Sequence, residues 1–242
     1  MTEAPTSAGA TQRTPSAAWL TLAGLCASLV GIGLARFAYT PLLPAIVQAR
    51  WFDAADAAYL GAANLAGYLA GALLAAPLAA RLPAAVVLRL MMLAVVASLI
   101  ACAWPVSFLW IMSWRAVSGF AGGVLIVLAA PTVLPYITEA RRGIASGVIF
   151  TGVGLGIVLS GTLVPLLLRQ GLTQAWLGLG LLSLLLTALA WRGWPTGEGT
   201  AAAQDDSVQP PSARTLRALY VVYGLCAFGL VPHMIFFVDF IA

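Results

Sequence analysis

Long apolar stretches, interrupted by few charged residues, make up most of the chain. A helix needs about 20 apolar residues to cross a bilayer, because the hydrocarbon core is about 30 Å thick and each helical residue rises about 1.5 Å. The stretches of this length predict seven membrane spans: Ala18–Val47, Ala57–Ala80, Ala84–Trp104, Ser107–Tyr136, Gly143–Leu168, Gln174–Trp194 and a seventh from Ala218 onward. The pattern therefore predicts an all-α membrane protein.

A predicted turn, rather than a charged loop, separates the third span from the fourth. Arg115 is the one charged residue between Leu90 and Glu139, and this region is too long for a single span. We place the turn at Trp104-Pro105, because proline breaks a helix and tryptophan favours the boundary between lipid and water.

The same pattern divides the chain into four segments. Residues 1–17 are small and polar and predict a disordered cytoplasmic tail. Residues 18–194 form a predicted N-terminal six-helix transmembrane bundle. Residues 195–216 are rich in proline, glycine, alanine and acidic residues, which predicts a flexible cytoplasmic linker. Residues 217–242 form the predicted seventh transmembrane helix.

The composition excludes a water-soluble fold. Hydrophobic residues make up 62% of the chain and charged residues 8%, against roughly 25% charged residues in an ordinary soluble domain. All 12 basic residues are arginines at spaced positions, which argues against a nucleic-acid partner. The three cysteines lie in apolar runs and are interpreted as small core residues rather than metal ligands. We expect no cofactor and no metal.

The distribution of the arginines predicts the orientation in the membrane. Cytoplasmic segments carry an excess of basic residues. If the N-terminus is cytoplasmic, the outer loops hold only Arg50 and Arg169, whereas the inner segments hold Arg13, Arg81, Arg89, Arg141, Arg142, Arg192, Arg214 and Arg217. The chain is therefore predicted to be a multi-pass protein of the inner membrane with a cytoplasmic N-terminus.

Small residues recur along the second, fourth and fifth predicted spans. The second span has a small residue at every fourth position from Ala63 to Ala79, and the fifth has a glycine series from Gly143 to Gly161. Small residues let helices approach closely in lipid, where no hydrophobic force drives association. The predicted helix-packing residues are Gly67, Gly71, Gly119, Gly152 and Gly156.

Two motifs resemble those of a known superfamily of transporters. The fourth-span sequence Trp114-Arg115-Ala-Val-Ser-Gly119 resembles the Arg-x-x-x-Gly motif of the major facilitator superfamily, and the fifth span resembles its glycine-rich fifth helix. The loop after the second span departs from the superfamily pattern. Its sequence, Ala76-Pro-Leu-Ala-Ala-Arg81-Leu-Pro83, lacks the aspartate and the basic pair of the usual Gly-x-x-x-Asp-Arg-x-Gly signature.

Two further segments resemble the YbfB/YjiJ-like branch of this superfamily. One is Gly31-Ile-Gly-Leu-Ala-Arg36-Phe-Ala-Tyr39-Thr-Pro41-Leu-Leu-Pro44 in the first span, and the other is the segment from Val231 to Phe240 in the seventh. Members have twelve spans in two six-helix halves. The resemblance therefore implies an incomplete twelve-helix fold, in which the seventh helix begins a truncated second bundle, and we expect the chain to be a fragment.

Two arginines are predicted to lie inside the membrane. Arg36 and Arg115 fall at comparable depth in the outer half, and no carboxylate in the first six spans could neutralise either. Two unpaired guanidiniums could hold a small organic anion through bidentate hydrogen bonds. The alternative hypothesis is that both arginines have structural roles. Arg115 would then donate hydrogen bonds to backbone carbonyls, and the Arg36 side chain would extend toward the outer surface.

Other polar residues of the spans are weaker candidates for the site. His233 and Asp239 in the seventh span could relay protons, or they could be a packing residue and an interfacial residue. Asn64 and Tyr39, together with Tyr59 and Tyr68, could bind substrate or could bond between helices.

The resemblance implies a secondary active transporter of a small solute, coupled to protons and working by alternating access. A small organic anion is favoured as substrate over an amphipathic drug-like compound, because the buried charges are positive. The alternative is a truncated, transport-inactive membrane protein with a structural role only. The sequence shows no paired acid and base and no nucleophile arrangement, so we do not expect an enzyme. The expected partners are the lipid bilayer, the substrate and protons.

Overall fold

The computed structural model describes residues 15–195, 214 and 217–226, and within these residues all regular structure is helical. Six helices are long and apolar enough to cross a membrane. They are the first to sixth spans, Ala17–Gln48, Ala54–Arg81, Ala84–Ala101, Phe108–Tyr136, Glu139–Leu168 and Leu172–Ala190. The predicted all-α fold with six spans is confirmed.

The chain divides into two compact units, Met1–Gly199 and Thr200–Ala242. In the second unit, the described residues include a short apolar helix, Arg217–Cys226, at the start of the predicted seventh span. The rest of that span, with His233 and Asp239, lies outside the described residues, as do most of the predicted tail and linker.

Several helix ends differ from the hydropathy prediction, and at two helix starts the cause is a polar residue that caps or begins the helix. The second span starts at Ala54, three residues early, since the Asp53 side chain accepts a hydrogen bond from the Asp56 N–H at 2.8 Å. The fifth span starts at Glu139 instead of Gly143. The third and sixth spans end earlier than predicted, in turns that hold Trp104 and Trp194.

The first span lies at the centre of the bundle. In its most apolar window 67% of the residues are buried, against 17% in the second span and 28% in the fifth. The fourth span, with 61% buried, packs against the first and the second. Spans one and four therefore form the core of this unit, and spans two and five present most of their residues outward.

Glycines make the closest contacts between these spans. A Cβ atom on Gly67 or Gly71 of the second span would meet the backbone of Ala116 or Phe120 in the fourth. Gly119 in turn lies against the backbone of Asn64. The first and fifth spans meet in the same way, at the pairs Gly33 with Gly156 and Leu25 with Gly152.

Other glycines of the fifth span face away from these contacts. No described atom lies within 4 Å of a Cβ placed on Gly143, Gly147, Gly154 or Gly161. Gly154 is two residues from both Gly152 and Gly156, so it lies on the opposite side of the helix. The packing face of the fifth span is therefore narrower than the whole glycine series.

Candidate functional site

A π-helix interrupts the α-helical first span from Leu29 to Phe37. Side chains of two neighbouring spans donate hydrogen bonds to its backbone carbonyls. Ser160 Oγ of the fifth span donates to the Gly33 carbonyl at 3.1 Å, and Arg115 Nη1 of the fourth donates to the Ala35 carbonyl at 2.9 Å. Wide helical turns of this kind are rare and often occur at functional sites. We take the surroundings of this segment as the candidate site.

Arg115 is enclosed between the first and fourth spans, with 2% of its surface exposed. Its guanidinium carbon lies 4.2 Å from the centre of the Tyr39 ring, which is a cation–π contact. Among the described residues, its Nε has no hydrogen-bond partner. The bond to Ala35 and the stacking on Tyr39 place this cation at the level of the π-helix and fix its position.

Arg36 lies in the π-helix and is half-buried. Its guanidinium carbon is 5.6 Å from the ring centres of both Phe37 and Tyr68. Its guanidinium makes no hydrogen bond or ion pair with the residues that the structure describes. The carboxylates in the described ranges, Asp53, Asp56 and Glu139, lie at the N-terminal ends of helices. Within this part of the chain, the charge of Arg36 therefore has no counterion.

Two further predicted residues connect the spans around Arg115. The Tyr39 hydroxyl donates to the Ala57 carbonyl at 2.6 Å. The Asn64 amide nitrogen donates to the Arg115 carbonyl at 3.0 Å. Both side chains are buried and bond to the backbone of a neighbouring span. Arg36, Tyr39, Asn64 and Arg115 thus belong to one region where spans one, two and four meet, whereas His233 and Asp239 lie outside the described residues.

Sequence reasoning missed the π-helix and the aromatic contacts. Hydropathy cannot distinguish a π-helix from an α-helix inside one apolar run, because both bury the same residue types. It also missed that the Tyr39 ring contacts Arg115 and that the ring centre of Trp176 is 6.5 Å from that of Tyr39. The polar residues Ser160 and Arg115 inside apolar spans were the available signal, since a buried donor needs an acceptor.

Charged residues differ between the two ends of the bundle. Because successive spans alternate in direction, the ends of spans two, four and six lie beside the starts of spans one, three and five. In the described chain, that end carries Glu139 and five arginines, Arg81, Arg89, Arg141, Arg142 and Arg192. The opposite end carries Arg50, Arg169, Asp53 and Asp56. One end is therefore strongly positive and the other is balanced.

These features define a multi-pass, all-helical membrane protein with two cations inside its helical bundle. The family model described as "Uncharacterised MFS-type transporter YbfB" matches residues 28–242. The match covers most of the chain, and the chain belongs to this family of major facilitator superfamily transporters. No curated protein and no solved structure gave a significant match.

Proposed function

We propose that this protein is a secondary active transporter that moves a small organic anion by alternating access, coupled to protons. The family supports a transporter, and the charges of the candidate site support the class of substrate. The observation that carries the choice of an anion is the guanidinium of Arg36, which has no carboxylate partner in the described chain.

An arginine at this position is costly without a ligand or water. A charged side chain at the centre of a membrane helix costs about 3 kcal/mol on insertion scales, so such residues mark substrate or ion pathways. The rings of Phe37 and Tyr68 lie near the guanidinium carbon of Arg36. Planar N–H groups remain to donate two parallel hydrogen bonds to a carboxylate. Arg36 is therefore the residue that contacts the anion in this proposal.

Arg115 has a different role in the proposal. Its Nη1 is already bonded to the Ala35 carbonyl, and its flat face covers Tyr39. It therefore holds the first span in position beside Arg36. Its charge also makes the region more positive at the level where the anion would bind.

Proton coupling requires a group that changes charge near neutral pH. His233 is the one histidine of the sequence, and imidazole is the side chain whose charge changes in this range. We propose His233, with Asp239 as the second candidate, for the proton relay.

The positive end of the bundle supports an orientation. Cytoplasmic segments of membrane proteins carry the excess of arginine. The proposal therefore places the end with Arg81, Arg89 and Arg192 in the cytoplasm, with the N-terminus on the same side and the protein in the inner membrane.

The test is transport in vesicles that contain the purified protein, with a panel of small carboxylates and an imposed proton gradient. We expect gradient-dependent uptake of at least one carboxylate, strongly reduced in Arg36→Ala and partly retained in Arg36→Lys. Arg50→Gln, which removes an exposed arginine at the balanced end, is the control and should transport normally.

Three results would overturn the proposal. Carboxylate uptake by Arg36→Ala at the wild-type rate would remove Arg36 from the site. Transport of amphipathic drug-like compounds but of no carboxylate would favour the other substrate class. Absence of any flux in wild-type vesicles would favour the transport-inactive alternative.

A further inference from the structure

Arg89 is held in a fixed position where the third and sixth spans meet. Its Nε donates a hydrogen bond to the Trp191 carbonyl at 3.1 Å, and its guanidinium carbon lies 5.3 Å from the centre of the Trp191 ring. One side chain thus makes two contacts with Trp191, the residue that directly follows the sixth span. These contacts fix the plane of the guanidinium, whereas an exposed arginine ordinarily samples many rotamers.

The remaining donors of Arg89 have no partner in the described part of the chain. A guanidinium has five N–H donors, and the bond to the Trp191 carbonyl uses the one on Nε. The two terminal nitrogens are therefore available to a ligand with two acceptor oxygens. Phosphate and carboxylate groups have the matching geometry.

From its place near the start of the third span, we expect the guanidinium of Arg89 to reach the lipid headgroups. It is five residues from the start of the third span at Ala84, a distance of about 7 Å along the helix axis. Helical side chains lean toward the N-terminus of their helix, so the guanidinium lies closer to the membrane surface than its own Cα. Trp191 has the same position at the end of the sixth span, and tryptophan favours the lipid–water boundary.

Exposed apolar side chains continue from Arg89 toward the middle of the bilayer. On the third span, Leu90 and Leu93 are exposed, and on the sixth span Leu185 and Leu189 are exposed. The two helices stay in contact along this direction, because Gly180 packs against Ile100. A cation at the headgroup level, followed by apolar side chains, fits a molecule with an anionic head and hydrocarbon tails.

Charge at this end of the bundle favours an anionic ligand over a zwitterionic one. Arg192 follows Trp191 directly and is exposed, and Arg81 is exposed at the end of the second span. Among the described residues of this end, Glu139 is the one carboxylate. Each basic residue near a bilayer surface strengthens binding to anionic lipid about fivefold.

We propose that Arg89 and Trp191 form a binding site for the headgroup of an anionic phospholipid, whose acyl chains lie along the third and sixth spans. The terminal nitrogens of Arg89 bind the phosphate oxygens, and the Trp191 ring and the Trp191 carbonyl hold the guanidinium in place. The site is separate from Arg36, so its failure leaves the proposed transport function untouched.

The experiment is native mass spectrometry of the purified protein in detergent, with equal amounts of phosphatidylglycerol and phosphatidylcholine. We expect the wild type to retain phosphatidylglycerol at least about fivefold more than phosphatidylcholine. Arg89→Gln should lower this ratio about fivefold, because it removes one of the positive charges at this end. The matched control is Arg169→Gln, an exposed arginine at the opposite end, which should keep the wild-type ratio.

A second variant and a competitor make the test decisive. Arg89→Lys keeps the positive charge, so it should keep a preference for phosphatidylglycerol even if Arg89→Gln does not fold. Excess inorganic phosphate should leave the ratio unchanged, because it lacks the acyl chains. The proposal is wrong if the wild type shows no preference, if folded Arg89→Gln keeps the full preference, if Arg89→Lys shows none, or if phosphate alone abolishes the preference.

Discussion

Arg115 donates a hydrogen bond to the backbone carbonyl of Ala35, 80 positions earlier in the chain. The bond joins the fourth span to the π-helix of the first, immediately before Arg36. The buried Arg115 thus acts on the backbone of the neighbouring span, whereas the guanidinium of Arg36 makes no hydrogen bond with the described residues. We therefore expect substitutions of Arg115 and of Arg36 to have different effects.

Replacing Arg115 should affect folding stability. Arg115→Gln removes the charged donor to Ala35 and the cation over Tyr39. We expect the free energy of unfolding to fall by about 2 kcal/mol, since hydrogen bonds to charged groups contribute about 1.5–3 kcal/mol. Denaturation of the purified protein in detergent measures the loss. The exposed Arg169→Gln is the control. An unchanged midpoint in Arg115→Gln would show that the bond to Ala35 contributes nothing to stability.

Two glycines two positions apart in the fifth span should respond differently to substitution by alanine. Gly156→Ala places a methyl group against the backbone of Gly33, so the first and fifth spans must move apart. We expect this to lower the free energy of unfolding by about 1–3 kcal/mol. Gly154→Ala is the matched control, because no described atom lies within 4 Å of the new methyl group. Thermal unfolding of both variants measures the difference. Equal melting temperatures for the two would contradict the packing of the first span on the fifth.

Tyr39 makes two contacts that substitutions can separate. Tyr39→Phe removes the hydroxyl bonded to the Ala57 carbonyl but keeps the ring beside Arg115. We expect it to lower the free energy of unfolding by about 1 kcal/mol. Tyr39→Leu also removes the ring, so it should lower the free energy of unfolding by about 1 kcal/mol more, because a cation–π contact contributes about that much. Chemical denaturation of both proteins gives the two values. If Tyr39→Leu is no less stable than Tyr39→Phe, the ring does not stabilise Arg115.

The two ends of the bundle should lie in different compartments. A reporter fused after Gln170, which follows the fifth span, should be active outside the inner membrane, and one fused after Pro195 should be active in the cytoplasm. Alkaline phosphatase and fluorescent-protein fusions distinguish the two sides. Activity of both fusions in the same compartment would contradict the proposed topology.

The sequence predicts the first six spans and their order but not how they face one another. Apolar length alone reveals each helix, whereas the Asp53 cap and the helical residue Glu139 place two helix starts outside the apolar runs. The glycine series of the fifth span indicated packing. Which glycines pack depends on the rotation of the helix, and that is fixed by contacts such as Gly33 with Gly156, far apart in the chain.

For the candidate site, too, the sequence shows which residues are present but not which distant residues they contact. An arginine inside an apolar span is visible in the sequence, and both Arg36 and Arg115 were predicted as candidates on that ground. Their different surroundings were not visible. Arg115 donates a hydrogen bond to the Ala35 carbonyl of the π-helix, and Arg89 donates one to the carbonyl of Trp191, 102 positions later. Such pairs depend on the three-dimensional arrangement of the spans.

Binding of small carboxylates to the purified protein tests the central claim about Arg36 most directly. We expect a carboxylate that is transported to raise the melting temperature of the wild type in a concentration-dependent way, because a ligand that binds only the folded state stabilises it. The shift should disappear in Arg36→Ala and remain in Arg50→Gln. An equal shift in wild type and Arg36→Ala would contradict the assignment of Arg36 as the anion-binding residue.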